Sequence, residues 1–383
     1  MSNRIKILIF IDWFLPGTLS GGPVRSYANL IEHLKDDFEF YIITRNSDYG
    51  STIPYEGIVP DTWTELNHYT KVYYISKEAL NKKHLKRVIA VIEFDLAYIN
   101  GMYSWYFSIL PVLLLKKSNK PIIVSARGML NPQAFSVKGT KKKVFLKLAK
   151  LLGFYRTINF HATNDDEAKH IKAHIGANTK ILVAPNLPRL VKQEEQPISH
   201  KKHNPIRFVN IARVAIEKGT LNMLNVLKNI KQIIQLDIYG PIYDDAYWEK
   251  CLKIIEDLPN NIEVNYKGVL VSDEVPIVLK RYDFFVLLSE GENFGHAILE
   301  GLSAGCPVII SNRTPWRNLE SKQIGWDIEV EDKNTILETF QKAIDMDQQT
   351  YQSWSLSALI YAKNFINNPE ILEQNKALFY DAT

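Results

Sequence analysis

Short apolar, β-branched runs alternate with helix-patterned stretches along the whole chain, and nothing else in the sequence restricts the fold as much. In the first half the runs are KILIFID, EFYIIT, KVYYIS, LAYIN, PIIVSA, INFHAT and ILVAPN; in the second they are IRFVNIA, QLDIYG, IEVNYKG, FFVLLS and PVIIS. Strands separated by helices read as crossover units, hence parallel sheets with helices on both faces. The pattern breaks at LPRLVKQEEQPISHKKHNP (residues 187–205), which is polar, proline-flanked and aperiodic, as a linker should be. At 383 residues two cores are the natural expectation. The expected fold class is α/β, with two doubly wound, Rossmann-like domains facing across a cleft. The expected spans are 1–190, 206–350, and C-terminal helices over 351–383 that cross back onto the first domain. In such sheets ligands bind outside the carboxyl ends of the strands.

Composition closes off several classes. No apolar run approaches the roughly 20 residues of a membrane span, and FSILPVLLL (residues 107–115) is short and carries a proline. The amino-terminal MSNRIKILIFIDWF reads as a first buried strand rather than a signal peptide. The only two cysteines, Cys251 and Cys306, lack metal-ligand spacing, which fits a reducing, cytoplasmic compartment. Net charge is only +4, but from Trp105 to Arg156 there are eleven Lys/Arg and no Asp or Glu. Such an excess favours an anionic surface, either membrane or polyphosphate.

The segment FFVLLSEGENFGHAILEGLSAGCPVIIS reads as strand, loop, helix, strand, with Glu292 and Glu300 eight residues apart. Asn293 can cap the helix, and Gly295 lets a ligand approach the backbone closely. First-turn N–H groups form an anion site suited to a diphosphate. Ile298, Leu299 and Leu302 form the apolar stripe, leaving Glu300 with His296, Ala297, Ser303 and Ala304. A carboxylate can accept two hydrogen bonds from a sugar diol. The spacing itself is uninformative, since two glutamates eight apart arise by chance on the order of once in such a chain.

The segment resembles the E-x7-E signature of glycosyltransferase family 4, retaining enzymes of the GT-B fold, and is similar to bacterial surface-polysaccharide members. That resemblance implies that Glu292 contacts the transferred sugar and Glu300 the nucleotide ribose. Backbone groups around Asn293, Phe294 and Gly295 would hold sugar and phosphate. In IRFVNIARVAIEKGTL, Arg213 and Lys218-Gly219 resemble the family's R-x4-K-G, whose pair binds the leaving diphosphate; fixed cations stabilise the charge that develops there. GVLVSD (residues 268–273), with Val269, occupies the place where the family binds the base through backbone contacts.

The first domain resembles the family more loosely. The loop LPGTLSGGPVRSYANLIEHL lacks G-x-G-x-x-G; its glycines are either turn chemistry or, by the resemblance, an approach to donor phosphate and acceptor by Gly21, Gly22 and Arg25. Where many members carry a histidine near the transferred sugar, this chain has Asn100, which can hydrogen-bond but cannot act as a base. In SARGML, Arg127 either engages an acceptor phosphate or makes a structural salt bridge. His161 reads as structural, Asp165 and Asp166 as helix-start acids, and Asp345-Met346-Asp347 as solvated surface within a polar helical stretch. No metal or cofactor is required beyond the donor substrate.

KKKVFLKLAKLLGFYR (residues 141–156) fits a helix with Lys143, Lys147 and Lys150 on one face and Val144, Leu148, Leu151 and Tyr155 on another. Either the apolar side packs on the sheet with lysines in water, or the patch touches anionic headgroups. Nucleic acid fits poorly, because no recognised motif accompanies the charge. The expected activity is transfer of a hexose from a nucleotide diphosphate sugar, UDP- or GDP-linked, to a saccharide or lipid-linked saccharide acceptor. A sugar-nucleotide epimerase of the same shape, or a non-catalytic sugar-nucleotide-binding protein, are the alternatives. The expected location is cytoplasmic, peripheral on the inner face of the plasma membrane.

Overall fold

The structure, a computed structural model, describes residues 4–135, 139–190 and 203–383. Most of the expected linker, residues 191–202, lies outside the described residues. The chain divides into two units: residues 1–190 with 368–383, and residues 191–367.

The first unit is built on β1 (Ile5–Phe10), α1 (Gly22–Leu34), β2 (Phe38–Arg45), β3 (Trp63–Asn67), β4 (Thr70–Ile75), α2 (Lys82–Ala90) and β5 (Leu96–Asn100). A π-helical turn at Trp105–Ile109 leads into α3 (Leu110–Leu115), followed by β6 (Ile122–Ser125), α4 (Gly139–Leu151), β7 (Asn159–Ala162), α5 (Asp165–Ile175) and β8 (Ile181–Val183). The strands form one sheet in the order β3-β4-β2-β1-β5-β6-β7-β8. All pairs are parallel except β3 with β4. Near-continuous apolar strands such as IKILIF and LAYIN are buried on both faces, as a doubly covered sheet demands. The β3 segment WTELN has no such run; it is an edge strand fixed by pairs such as Trp63 with Tyr73.

The second unit contains β9 (Ile206–Ile211), α6 (Thr220–Leu227), β10 (Ile234–Tyr239), α7 (Asp245–Glu256), β11 (Ile262–Tyr266), α8 (Val275–Leu279) and β12 (Phe284–Leu287). After these come α9 (His296–Ser303), β13 (Val308–Ser311), β14 (Gly325–Ile328), α10 (Lys333–Asp345) and α11 (Gln348–Ile366). Its parallel sheet runs β11-β10-β9-β12-β13-β14. The short edge strand β14 was not expected; Gly325 admits it, since a Cβ there would lie 2.1 Å from the Val308 carbonyl oxygen.

The carboxy-terminal expectation needs correction. Of the helices after residue 350, α11 packs on α9 within the second unit, burying Ala358 and Ala362. Only α12 (Pro369–Tyr380) joins the first unit, where Phe379 meets Phe38 and Tyr98 at 5.3 and 5.4 Å between ring centroids. Asp345 and Asp347 likewise do not share a helix. Asp345 ends α10, and Asp347 caps α11 by accepting from the Thr350 amide at 2.8 Å. Among the described residues no helix is long and apolar enough to cross a membrane.

Candidate active site

Each sheet reverses its winding direction at one place, between β1 and β5 and between β9 and β12. Such switch points open a crevice at the carboxyl ends of the strands. In the second unit β9 and β12 pair over only two residues, Phe208 with Phe284 and Val209 with Phe285. Beyond that, the buried Asn210 amide bridges to the Val286 carbonyl at 2.7 Å.

Two loops leave this switch point and are held together. After β9 the chain turns through Ile216–Lys218 into Gly219, whose φ of +71° opens α6. A Cβ at Gly219 would lie 1.9 Å from the Leu288 carbonyl oxygen, so only glycine lets this turn close on the end of β12. The Glu290 amide then donates to the Glu217 carbonyl at 2.9 Å. This clamp brings Lys218 Nζ to Glu292 Oε1 at 2.5 Å, with the side chains 15% and 13% exposed. Both side chains are thus largely withdrawn from water, and each offsets part of the other's lost hydration. Arg213 stands apart from that contact: it pairs with Glu217 at 3.1 Å, and its guanidinium carbon lies 5.3 Å from the Tyr243 ring centroid.

Glu292 leads into α9, and the entry differs from expectation. Gly295, at φ +81°, is the N-cap and contributes no side chain, so Asn293 does not cap the helix. Phe294 is buried against Trp316 and Phe365, and its carbonyl accepts from Trp316 Nε1 at 2.5 Å. That carbonyl is therefore engaged, while first-turn N–H groups of a helix have no acceptor within it. Ile298, Leu299 and Leu302 are buried; Glu300 lies on the half-buried polar side, one turn beyond His296. Ser289, which sequence reasoning passed over, is fully buried with its hydroxyl unpartnered where β12 ends. Val269 is exposed, on the loop after β11, where the Gly240 amide donates to the Gly268 carbonyl at 2.8 Å. Among the described residues no group of three His, Cys, Asp or Glu side chains could hold a metal ion.

In the first unit, Gly21 at φ +73° caps α1 and Gly22 opens it, both beside open space; Arg25 lies within its first turn. Asn100 ends β5, buried, with Oδ1 unpartnered. Sequence reasoning missed its neighbours. Asp12, just past β1, accepts from Ser104 Oγ at 2.8 Å and pairs with Arg45, at the end of β2, at 3.2 Å. Burial holds the Asp12 carboxyl above the usual aspartate range, against the opposing pull of Ser104 and Arg45. The Arg45 guanidinium lies 4.9 Å from the Phe107 ring and 5.7 Å from the Trp13 ring. The signal for this cluster was only IDWF at a strand end.

Arg127, read as either an acceptor contact or a structural residue, has internal partners. At φ +52°, its guanidinium donates to Asn186 and to Tyr98 Oη (3.2 Å) and covers the Tyr27 ring at 4.7 Å. His161 is structural as expected: Nε2 lies 2.8 Å from the Ala184 carbonyl and must donate, so Nδ1 accepts from Tyr98 Oη at 2.6 Å. Burial, then the Arg127 charge, pushes the imidazole down to about 3.

Residues 191–358 match the model of the family described as Glycosyl transferases group 1. The sulfoquinovosyl transferase SQD2 of Arabidopsis thaliana is 28% identical over 123 residues, which is 32% of this chain and 22% of that protein. This match thus spans less than a quarter of the curated relative. Solved structures match the fold end to end, two of them as follows. Sucrose-phosphate synthase from Thermosynechococcus elongatus superposes with a TM-score of 0.71 at 17% identity over 99% of each chain. Anabaena HepE, in complex with UDP and glucose, gives 0.72 at 14% identity over 99% of this chain and 100% of its own. The fold is that of the two-domain GT-B structures, and the match to the Glycosyl transferases group 1 model falls within the second unit.

Proposed function

We propose that this chain is a retaining glycosyltransferase of family 4. It moves a hexose from a nucleotide diphosphate sugar to a saccharide or lipid-linked saccharide during surface-polysaccharide assembly. The observation that carries the reading is the Lys218–Glu292 pair at the β9/β12 switch point, inside the family-matched domain. An ammonium there can leave the carboxylate for a diphosphate, and the carboxylate then accepts from sugar hydroxyls. The bond from the anomeric carbon to the diphosphate oxygen breaks as the acceptor oxygen bonds to the same face. The acceptor proton passes to the leaving phosphate oxygen, since Asn100 cannot take it. Lys218 and Arg213 offset the charge that builds on the leaving group. Amides of Asn293, Phe294 and Gly295 at the α9 entrance hold the phosphate, Glu300 the ribose diol, and the backbone at Val269 the base. Gly21 and Gly22 approach the donor phosphate, and Arg25 serves the acceptor side. HepE binds UDP and glucose, which favours a UDP-linked donor over a GDP-linked one.

The chain works on the cytoplasmic face of a membrane, which residues 141–156 touch. No metal takes part, so EDTA should leave turnover unchanged; its abolition, restored by a divalent cation, would end that part of the reading. Labelled sugar nucleotides should transfer label to a membrane extract, with anomeric configuration kept by NMR. Isomerisation of the donor without acceptor would mean an epimerase, and binding without turnover a non-catalytic protein.

A further inference from the structure

Of the apolar face read from the sequence, helix α4 leaves Val144, Leu148 and Leu151 in solvent, while Tyr155 beyond it is buried. Val144, Leu148, Leu151 and Leu152 are 53, 52, 80 and 77% exposed. The buried stripe is Leu146 and Ala149, with Phe145 against Tyr103 at 5.7 Å between ring centroids. At 3.6 residues per turn the exposed aliphatics form one continuous row on the opposite side. Isolated exposed leucines are ordinary, but a contiguous row marks an interaction surface.

Charge identifies the occupant. Lys143, Lys147 and Lys150 run exposed along one margin of the row, and Lys141 stands at the other. The end of α3 adds to the same tip: Lys116 Nζ donates to the Gly153 carbonyl at 3.3 Å and lies 4.9 Å from the Phe154 ring centroid. No carboxylate occurs between Trp105 and Arg156. From α5, which packs on α4, His174 shares this positive field. Burial first, then His170, Lys143 and Lys150, hold its ring below the usual range. A second copy of this face would bring lysine against lysine. A nucleic acid would satisfy the lysines but leave the leucines in water. An anionic bilayer satisfies both, with aliphatic groups at the acyl boundary and ammonium groups among headgroups.

We infer that α4 and the Leu151–Leu152 turn form a membrane-docking face that lies in the plane of an anionic bilayer, its aliphatic row inserted and its lysines on the headgroups. This deepens the membrane-facing reading of residues 141–156 and does not depend on the donor site.

The test is sedimentation of the full chain with phosphatidylcholine vesicles, with and without phosphatidylglycerol. Binding should need the anionic lipid and weaken as salt is raised. Leu151→Ser/Leu152→Ser should reduce partition about tenfold or more, at an unchanged melting temperature because both side chains are exposed. Lys143→Gln/Lys147→Gln/Lys150→Gln should reduce it by about tenfold to a hundredfold. Absence of binding to anionic vesicles, or binding indifferent to the leucine pair, overturns the inference. So does self-association by ultracentrifugation that Leu151→Ser/Leu152→Ser abolishes, which would assign the face to a second copy. UDP binding by thermal shift should be the same in all variants, so failure of the donor-site reading leaves the vesicle result standing.

Discussion

The two switch points solve one problem, holding a carboxylate at the mouth of a parallel sheet, with different partners. At β9/β12, Glu292 is held by a lysine from the facing loop, a point charge on a flexible stem. At β1/β5, Asp12 is held by a hydroxyl and a guanidinium wedged beside Phe107 and Trp13. In the reading proposed above the first arrangement exchanges its partner when an anion arrives; the second is held by Ser104, Arg45 and the two rings beside that guanidinium. A lysine that changes partner suits charge that appears during reaction, whereas a locked carboxylate suits steady recognition of hydroxyl groups. The family model covers the exchangeable site and not the locked one.

The largest expected effect tests the exchangeable half. Lys218→Ala should lower turnover about a hundredfold or more, the loss seen when a transition-state charge contact is removed. Full activity in that variant would show that the diphosphate assignment is mistaken. Next is the clamp that places the lysine. Gly219→Ala puts a Cβ on the Leu288 carbonyl at a left-handed φ, and should cost about 2–3 kcal/mol of stability in urea unfolding. A variant as stable as the parent would mean that the turn does not bear on β12.

The same asymmetry explains what could be read before folding. Alternating apolar runs announced both sheets, because a strand buried on both faces has to be apolar throughout. They missed β3 and β14, short edges whose pairing depends on neighbours rather than on their own pattern. In the second unit Arg213, Lys218, Glu292 and Glu300 lie on loops and a helix adjoining one strand pair, so their nearness was legible in local sequence. In the first, Asp12, Arg45 and Ser104 come from three separated stretches that meet only through sheet order. Arg127 was ambiguous for a related reason. Its partners Tyr98 and Asn186 are 29 and 59 residues away, and nothing local separates a surface arginine from one that organises a polar network. Helix α4 was read with Val144, Leu148 and Leu151 on its apolar face, whereas the structure buries Leu146 and Ala149.

The locked half can be broken more gently. Asp12→Asn keeps the size and an acceptor for Ser104 but removes the charge facing Arg45. If this cluster orients acceptor hydroxyls, the acceptor KM should rise about tenfold, the worth of a hydrogen bond to a charged group. Donor KM and UDP binding should hold. Equal losses on donor and acceptor would mean that the cluster merely supports the fold.

The smallest effect concerns His161, which shares with Asp12 a place in the first unit but carries the opposite relation to protons. Its pKa is pushed down to about 3 in the folded chain from the usual 6.5, so above pH 6.5 both folded and unfolded forms are neutral there and its contribution is complete. As pH falls below 6.5 the unfolded chain binds a proton that the native site refuses, and stability drops by up to about 1.4 kcal/mol per pH unit until about pH 3. His161→Gln retains a donor for the Ala184 carbonyl without the titration. It should start from a modestly lower stability at pH 7.5 and then lose less on acidification. Urea midpoints at pH 7.5, 6 and 5 measure this directly. Parallel curves for the two proteins would mean that His161 takes its proton in the folded state, and the tautomer fixed by Tyr98 and Ala184 would have to be abandoned.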